Sequence, residues 1–485
     1  MLNYILRRIL ILIPTLFIIS LLAFVISVSS PIDPVAMSMA ANEGVPNDLQ
    51  SYHNLLENRQ RTRERFNLHL PVFYFRIASF AEPDTLYKVY DSDHRKSLGK
   101  LLSKSGNWPV VQNYHKSLLQ LKLAHAGLRQ QAQELDTNRR QIAFDAIFTS
   151  ADHVNALLGT ANEEGIQSRF KQLDALYASA GNLQSLQAPY SKVKSTYQAI
   201  HSDRTGWKNY IPSIIWYGSQ NQYHKWITGI LLRFDFGQSY KNNLPVSKRI
   251  GDLFFWSFIF TISSIFLAYL IAVPLGILGA TWHGSKFDRI TTVIVFAMDS
   301  LPSFWLATLL LVTFANPDVL NWFPSSFNEV RLGDESLLSS FFSDINRLVL
   351  PLIAYTYGQI AFVSRLMRSS MLEVIRQDYV RTARAKGLKE RFVLLRHALR
   401  NAALPLITRF AGVLPALIGG NVVLETIFSI PGMGREIFHA CLDKDIPMIM
   451  AVFTLTGGLA ILGYLMSDLL YVLVDPRIKL KKEED

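Results

Sequence analysis

Asp299 stands inside TTVIVFAMDSLPSFWLA, followed by Ser300 and Pro302. A carboxylate among hydrocarbon chains is unfavourable, so it has to face a bundle interior or water. Two readings stay open. Asp299 lines a solute path and attracts an amino group, or it pairs with polar groups where Pro302 distorts a helix. A second concentration of charge is RTARAKGLKERFVLLRHALRN, residues 381–401, where seven of 21 residues are Arg or Lys and only Glu390 is acidic. Phe392, Leu395 and Leu399 recur at three and four positions and form one apolar face, leaving Lys389, Arg391, Arg396 and Arg400 for the other surfaces. Ala383 and Ala385 keep the preceding element slim, and Gly387 permits a turn or a close backbone approach. Such a segment suits docking to another protein; the plainer alternative is a basic loop that only fixes topology. Nucleic acid is a poor partner, because Phe392 is the stretch's one aromatic residue and no recognised module surrounds it.

Other chemistry is missing. No G-x-x-x-x-G-K-[ST] phosphate cradle, no H-x-x-x-H pair and no G-x-S-x-G nucleophile elbow occurs. The eleven His are dispersed, with His397 falling on the basic surface, and the single Cys441 excludes a disulfide framework or a Cys-based metal cluster. No catalytic residue, bound cofactor or metal is therefore expected. IFSIPGMGREI, residues 427–437, reads as an external turn or as a gating loop, with Phe428, Pro431, Gly432 and Met433 at its centre. Glu425 and Asp468 fall near the ends of apolar runs, where they are expected to be solvated or paired. The Gly419–Gly420 and Gly457–Gly458 pairs suit close helix packing better than phosphate binding.

The elements that must hold these residues are membrane spans. Hydrophobic residues make up 49% of the chain, its net charge is +11, and its mean hydropathy is +0.18. Residues 9–28 carry no charge, about the length that crosses a bilayer core. The run exceeds a usual signal core and is followed by the poor cleavage sequence SVSSPIDP, so a retained first span is expected. Six spans are expected, at roughly 8–29, 253–280, 290–315, 347–365, 406–427 and 447–470. Arg7 and Arg8, the loop HGSKFDR, the segment from Arg365 to Arg409 and the tail RIKLKKEED are all basic, which places them and both termini in the cytoplasm. Residues 31–250 then lie outside. Within them, residues 128–158 lack Gly and Pro and keep long apolar intervals, predicting an amphipathic helix, with another over 167–178.

Several stretches together resemble the inner-membrane permeases of ABC importers in the dipeptide, oligopeptide and nickel group. They are ILRRILILIPTLFIISLLAF with IDPV, LLRFDFGQSYKNNLPV, LPSFWLATLLL, QDYVRTARAKGLKERFVLLRHALRNAALPLITR, ETIFSIPGMGREI and DLLYVLVDPRIKL. The resemblance covers about residues 1–36 and 215–481. It implies an all-α polytopic membrane protein with six transmembrane helices of ABC importer type, carrying a large, mainly helical extracytoplasmic insertion after the first helix. Its parts would be a cytoplasmic N-terminus and first helix (1–35), the insertion (36–214), a lead-in segment (215–252), a five-helix core (253–474) and a cytoplasmic tail (475–485). The ATPase-coupling loop would run over about 366–405, with Asp378, Arg381, Ala383, Lys386, Gly387, Arg396, His397, Asn401 and Pro405 as its residues. The generic importer loop begins Glu-Ala-Ala with a Gly four residues beyond the second Ala. Here Ala383 and Gly387 match, Arg381 and Thr382 stand in the first two places, and the later Leu-Pro is Leu404–Pro405. The implied partners are a second homologous permease, two ABC ATPases holding ATP and Mg, an extracytoplasmic solute-binding protein, membrane lipid and a peptide-like solute. A proton-coupled transporter using Asp299, or an anchored sensor built on residues 36–214, are the alternatives of other classes.

Overall fold

The computed structural model describes residues 2–30, 33–39, 49–133, 137–179, 181–325, 345–410 and 412–474. The chain divides into two compact units, Asp33–Thr228 and a second unit of Met1–Ile32 with Gly229–Asp485.

The first unit is built mainly from helices, among them Ser92–Ser105, Trp108–Gln133, Thr137–Gly159, Glu163–Ser179 and Gln187–Ser202. Their apolar residues recur at helical spacing: Ile166, Phe170, Leu173 and Tyr177 on one, Tyr190, Val193, Tyr197 and Ile200 on another, all buried in a common core. The single helix expected over 128–158 is instead the end of Trp108–Gln133 and most of Thr137–Gly159, two helices packed on each other with His125 Nε2 2.8 Å from Ser150 Oγ; residues 134–136 lie outside the described residues, and the expected 167–178 helix runs over Glu163–Ser179. Asp91 caps the Ser92–Ser105 helix by accepting from the backbone N–H groups of Asp93 and His94, both at 3.0 Å. A two-stranded antiparallel ribbon completes the unit. Its strands, β1 (Phe75–Ser79) and β2 (Pro212–Trp216), pair Phe75 with Trp216 and Ile77 with Ile214.

In the second unit, four helical stretches among the described residues are long and apolar enough to cross a membrane: Leu10–Ser29, Val246–Thr281, Leu404–Ile427 and Ile446–Leu470. Lys286–Ser300 with Ser303–Ala315 makes a fifth if counted as one span. The expected third span, 290–315, is thus not straight: it turns by 89° at Leu301–Pro302, where proline cannot continue the hydrogen-bond ladder. The expected fourth span lies within Ile345–Ile375, a helix that runs ten residues past its expected end at 365 and carries Arg365, Arg368 and Glu373. The expected fifth span is three short helices, Leu404–Phe410, Val413–Gly419 and Val422–Ile427, with Gly420 at φ +59° between the last two. Residues 326–344 of the loop expected to be external, and the 475–485 tail, lie outside the described residues.

Small side chains set the helix spacing. A β-carbon on Gly276 would lie 2.6 Å from Met367 Cβ, so Val246–Thr281 and Ile345–Ile375 approach nearly backbone to backbone, with Ala272 and Ala361 also buried. Gly457 does the same for Ile446–Val474 against the first helix, its absent β-carbon leaving room for Ile19.

Candidate functional site

The basic stretch folds as a series of short helical turns after the end of Ile345–Ile375. Asp378–Ala385 comes first, with Asp378 in its opening turn, where a carboxylate favours the helix dipole. Asp378 also lies 3.7 Å from Arg381 on a fully exposed edge. Ala383 points inward and packs with Val380 and Val393 against Val374. Lys386 closes the helix, and Gly387 then takes φ +77°, a conformation that strains any residue with a β-carbon. No atom crowds the place where that β-carbon would be, so Gly387 serves the turn itself and leaves its outer side open. The Arg384 guanidinium spans the turn and binds both Glu390 carboxylate oxygens, at 2.7 and 3.1 Å. This bond holds Glu390 below its usual carboxylate range.

Beyond the turn, Val393–Ala398 is wound with the wider i to i+5 hydrogen bonds of a π-type turn. The winding changes which residues face inward. Val393, Leu394, Ala398 and Ala402 are buried, whereas Phe392 and Leu395 of the expected apolar face are 42% and 48% exposed; Leu399 alone of that face packs inward. Phe392 instead carries Arg396 over its ring at 5.2 Å and His397 beside it at 5.8 Å. Asn401 Nδ2 donates to the Tyr379 hydroxyl at 2.6 Å, tying the two arms of the loop together, and Pro405 sits exposed in the first turn of Leu404–Phe410. The loop therefore shows Leu388, Phe392 and Leu395 outward, among cations.

The IFSIPGMGREI segment closes on Glu425, which is fully buried rather than solvated at a span end. Glu425 Oε1 accepts from Ser257 Oγ at 2.9 Å, from the Tyr355 hydroxyl at 3.2 Å and from the Asn421 N–H at 3.2 Å. Its Oε2 accepts from the Arg435 N–H at 3.0 Å. Ser257 Oγ in turn accepts from the Met433 N–H at 2.7 Å. A β-carbon on Gly432 would meet Glu425 Oε2 at 2.5 Å, and one on Gly434 would meet the Val422 backbone N at 2.7 Å. Only glycine fits there. Two distant helices, through Ser257 and Tyr355, and the local segment from Asn421 to Arg435 meet on one carboxylate that satisfies each donor, the condition for burying a charge-bearing group without a large penalty. Phe428 and Met433, 3% and 0% exposed, are core residues of this knot, and Pro431 is half-buried beside it.

Asp299 lies at the end of Lys286–Ser300, just before the bend, and forms an ion pair with Arg365 at 2.8 Å. Arg365 also stands 5.5 Å over the Phe296 ring. Phe296 and Arg365 line a cavity of about 400 Å³ together with Thr291, Phe362 and Arg368. At its other side Arg368 binds Asp288 through two bonds, 2.7 and 2.8 Å, and the Gly284 N–H also donates to Asp288 at 2.9 Å. The loop, the Glu425 knot and the Asp299 pair are three separate constellations. Among the described residues no group of His, Cys, Asp and Glu could hold a metal ion.

Sequence reasoning missed the Glu425 knot and the Asp288–Arg368 pair. For Glu425 a signal was present, a lone acid flanked by Gly420, Gly432 and Gly434, whose missing side chains make room for it.

All three constellations fall within residues 272–480 save for Ser257, and that range matches the family described as binding-protein-dependent transport system inner membrane component. The chain is 39% identical over 261 residues to the oligopeptide transport system permease protein AppB of Bacillus subtilis, covering 53% of this chain and 80% of that relative. It is 36% identical over 259 residues to the dipeptide transport system permease protein DppB of Alkalihalophilus pseudofirmus, covering 50% and 77%. A third relative, the peptidoglycan transport system permease protein YejB of Agrobacterium fabrum, is 34% identical over 274 residues, covering 52% and 70%. The shared length, the helical spans and the loop between them lead to one assignment: the chain belongs to the family of binding-protein-dependent transport system inner membrane components.

Proposed function

We propose that this permease subunit forms one half of the channel of an ATP-driven ABC importer for peptides or chemically similar solutes. A second homologous permease supplies the other half, two ABC ATPases holding ATP and Mg bind beneath, and a solute-binding protein delivers cargo from outside. Both termini lie in the cytoplasm and the helical insertion on the delivery side. The relatives' names support the cargo class. The observation that carries the coupling role is the loop at Gly387, an open left-handed turn that leaves Leu388, Phe392 and Leu395 exposed in a segment where Lys386, Lys389, Arg391 and Arg396 are exposed too. Exposed apolar side chains among charged ones suit a protein docking surface.

The mechanism follows from what the loop is attached to. Val380, Ala383 and Val393 pack on Val374, near the end of Ile345–Ile375, so a push on the loop is delivered to that helix. The helix lies along Val246–Thr281 and, through Tyr355, touches the same carboxylate as Ser257. Closure of the ATPases on ATP would shift these elements as one body and alternate access to the path. Hydrolysis itself belongs to the partner subunits.

Gly387→Trp tests this reading against Gly387→Ala. Both substitutions impose the left-handed strain, about 1–2 kcal/mol, but only Trp adds bulk to the docking side. In proteoliposomes containing the whole complex, Gly387→Ala is expected to retain coupled peptide uptake. Gly387→Trp is expected to insert normally while ATP hydrolysis no longer drives uptake. Coupled uptake at the wild-type rate in the Trp variant would overturn the docking role.

A further inference from the structure

The β1–β2 ribbon turns a largely apolar face outward, with Ser79 opposite Pro212 at its far end. Phe75, Ile77, Ile214 and Trp216 alternate with half-buried residues along both strands, and the register sets them opposite one another. Ile77 is 72% exposed, Ile214 71% and Trp216 70%. Phe75 and Trp216 stack with their rings 2° from parallel, so the face is a formed surface rather than scattered side chains. Phe80, the residue after β1, and Trp207 and Tyr210, in the turn Gly206–Tyr210 before β2, are also exposed. A contiguous patch of this kind marks a partner.

The chemistry of the surrounding chain says which partner. From Arg204 to Phe234 the sequence holds four cations, Arg204, Lys208, Lys225 and Arg233, and no acidic residue. The same 31 residues hold seven aromatics, including Trp207, Tyr210, Trp216 and Trp226. Trp and Tyr beside Lys and Arg are the composition of a membrane interface, where amphipathic rings sit among headgroups and cations meet anionic lipid. In sequence, the unit follows an apolar helix that ends at Ser29, and another apolar helix begins at Val246, 18 residues after Thr228.

We propose that the outer face of the β1–β2 ribbon inserts into the headgroup layer of the bilayer, making the unit Asp33–Thr228 a membrane-surface module as well as an inserted domain. The proposal rests on the membrane placement of the chain and is independent of its coupling to ATP.

The test uses the full chain with Cys441→Ser, reconstituted alone in nanodiscs of phosphatidylethanolamine and phosphatidylglycerol. Single cysteines replacing Ile77 or Ile214, and controls replacing Ser213 on the opposite face or Lys104 on an exposed helix, carry a nitroxide. Labels at 77 and 214 are expected to collide readily with oxygen and to be shielded from a water-soluble nickel chelate, while 213 and 104 show no such bilayer signature. Free access of the chelate to 77 and 214 would overturn the proposal. Shielding from both reagents would also overturn it, by showing a protein contact, as would shielding that arises only when a solute-binding protein or partner permease is added. Where a label disturbs the fold, the difference in fluorescence between the unlabelled chain and Trp216→Phe gives a second reading. That difference is expected to be quenched by brominated lipid, and an unquenched difference counts against the proposal.

Discussion

Gly432→Ala adds a single methyl group at the tightest point of the Glu425 knot. The new carbon would lie 2.5 Å from Glu425 Oε2, 2.6 Å from its Cδ and 2.7 Å from Ser257 Oγ. Comfortable contact needs about 3.5 Å, so the carboxylate or the hydroxyl has to retreat by about 1 Å. Gly432 itself is extended, at φ −111° and ψ 175°, which alanine adopts freely, so the whole effect is steric. A retreat of that size breaks the bond from the Arg435 N–H, now 3.0 Å, or the bond from the Met433 N–H, now 2.7 Å. Overpacking costs about 1–3 kcal/mol. A buried N–H left without a partner costs about 1–3 kcal/mol more. The sum, about 2–6 kcal/mol, is a large part of the 5–15 kcal/mol that holds an ordinary domain together. The assay is thermal unfolding of the purified chain in nanodiscs, with amide exchange read at Met433 and Arg435. Gly419→Ala is the control, since no atom lies within 4 Å of its added carbon. Gly432→Ala is expected to unfold at markedly lower temperature with both amides unprotected, and Gly419→Ala to stay close to wild type. Wild-type melting of Gly432→Ala with both amides protected would refute the knot as a structural clamp.

Asp299→Asn is expected to lower uptake of cationic and neutral peptides equally, because Arg365 already occupies the carboxylate; a selective loss for cationic or free-amino peptides at equal complex abundance would instead place Asp299 on the solute path. In the insertion, buried His125 donates from Nδ1 to the Leu121 carbonyl at 2.7 Å and has Ser150 Oγ 2.8 Å from Nε2. Burial pushes its pKa down to about 4 from the ordinary 6.5, the neighbouring Arg129 adding to the effect. The unfolded chain thus binds the extra proton between those values. Stability is full above about pH 6.5 and is lost as pH falls toward 4, by at most about 3 kcal/mol from this group. Amide protection across Trp108–Gln133 and Thr137–Gly159, after correction for the intrinsic slowing of exchange in acid, is expected to fall over that interval and to fall less in His125→Gln; protection that does not change with pH would contradict the assignment. Replacing about residues 45–205 with a flexible linker is expected to leave permease and ATPases assembled while stimulation by the solute-binding protein falls. Unchanged stimulation would reject a docking role for the insertion.

Much of the helical architecture was legible because it is local. The helix expected over 167–178 is found within Glu163–Ser179, its buried face marked by spacing, and the left-handed turn at Gly387 sits where the only glycine of the basic stretch stands. Pro302 marked a distortion but not its 89° angle, which depends on what the two halves pack against. The outward turn of Phe392 and Leu395 was hidden because one wide turn at Val393–Ala398 shifts the phase that a 3.6-residue period assumes. Glu425 was hidden for another reason. Its partners Ser257 and Tyr355 stand 168 and 70 residues away in sequence, and no local pattern announces a meeting over such distances. The ribbon was missed likewise, its strands being separated by most of the insertion.

The central claim is that the segment around Gly387 is the joint with an ATPase. A photo-crosslinking residue at Phe392, which is exposed on the loop, tests it inside the native membrane. Irradiation followed by mass spectrometry is expected to capture a subunit that carries a G-x-x-x-x-G-K-[ST] phosphate-binding loop. The yield is expected to change when ATP is replaced by a non-hydrolysable analogue. Capture of lipid alone, in cells whose ATP-driven peptide uptake is intact, would contradict the account.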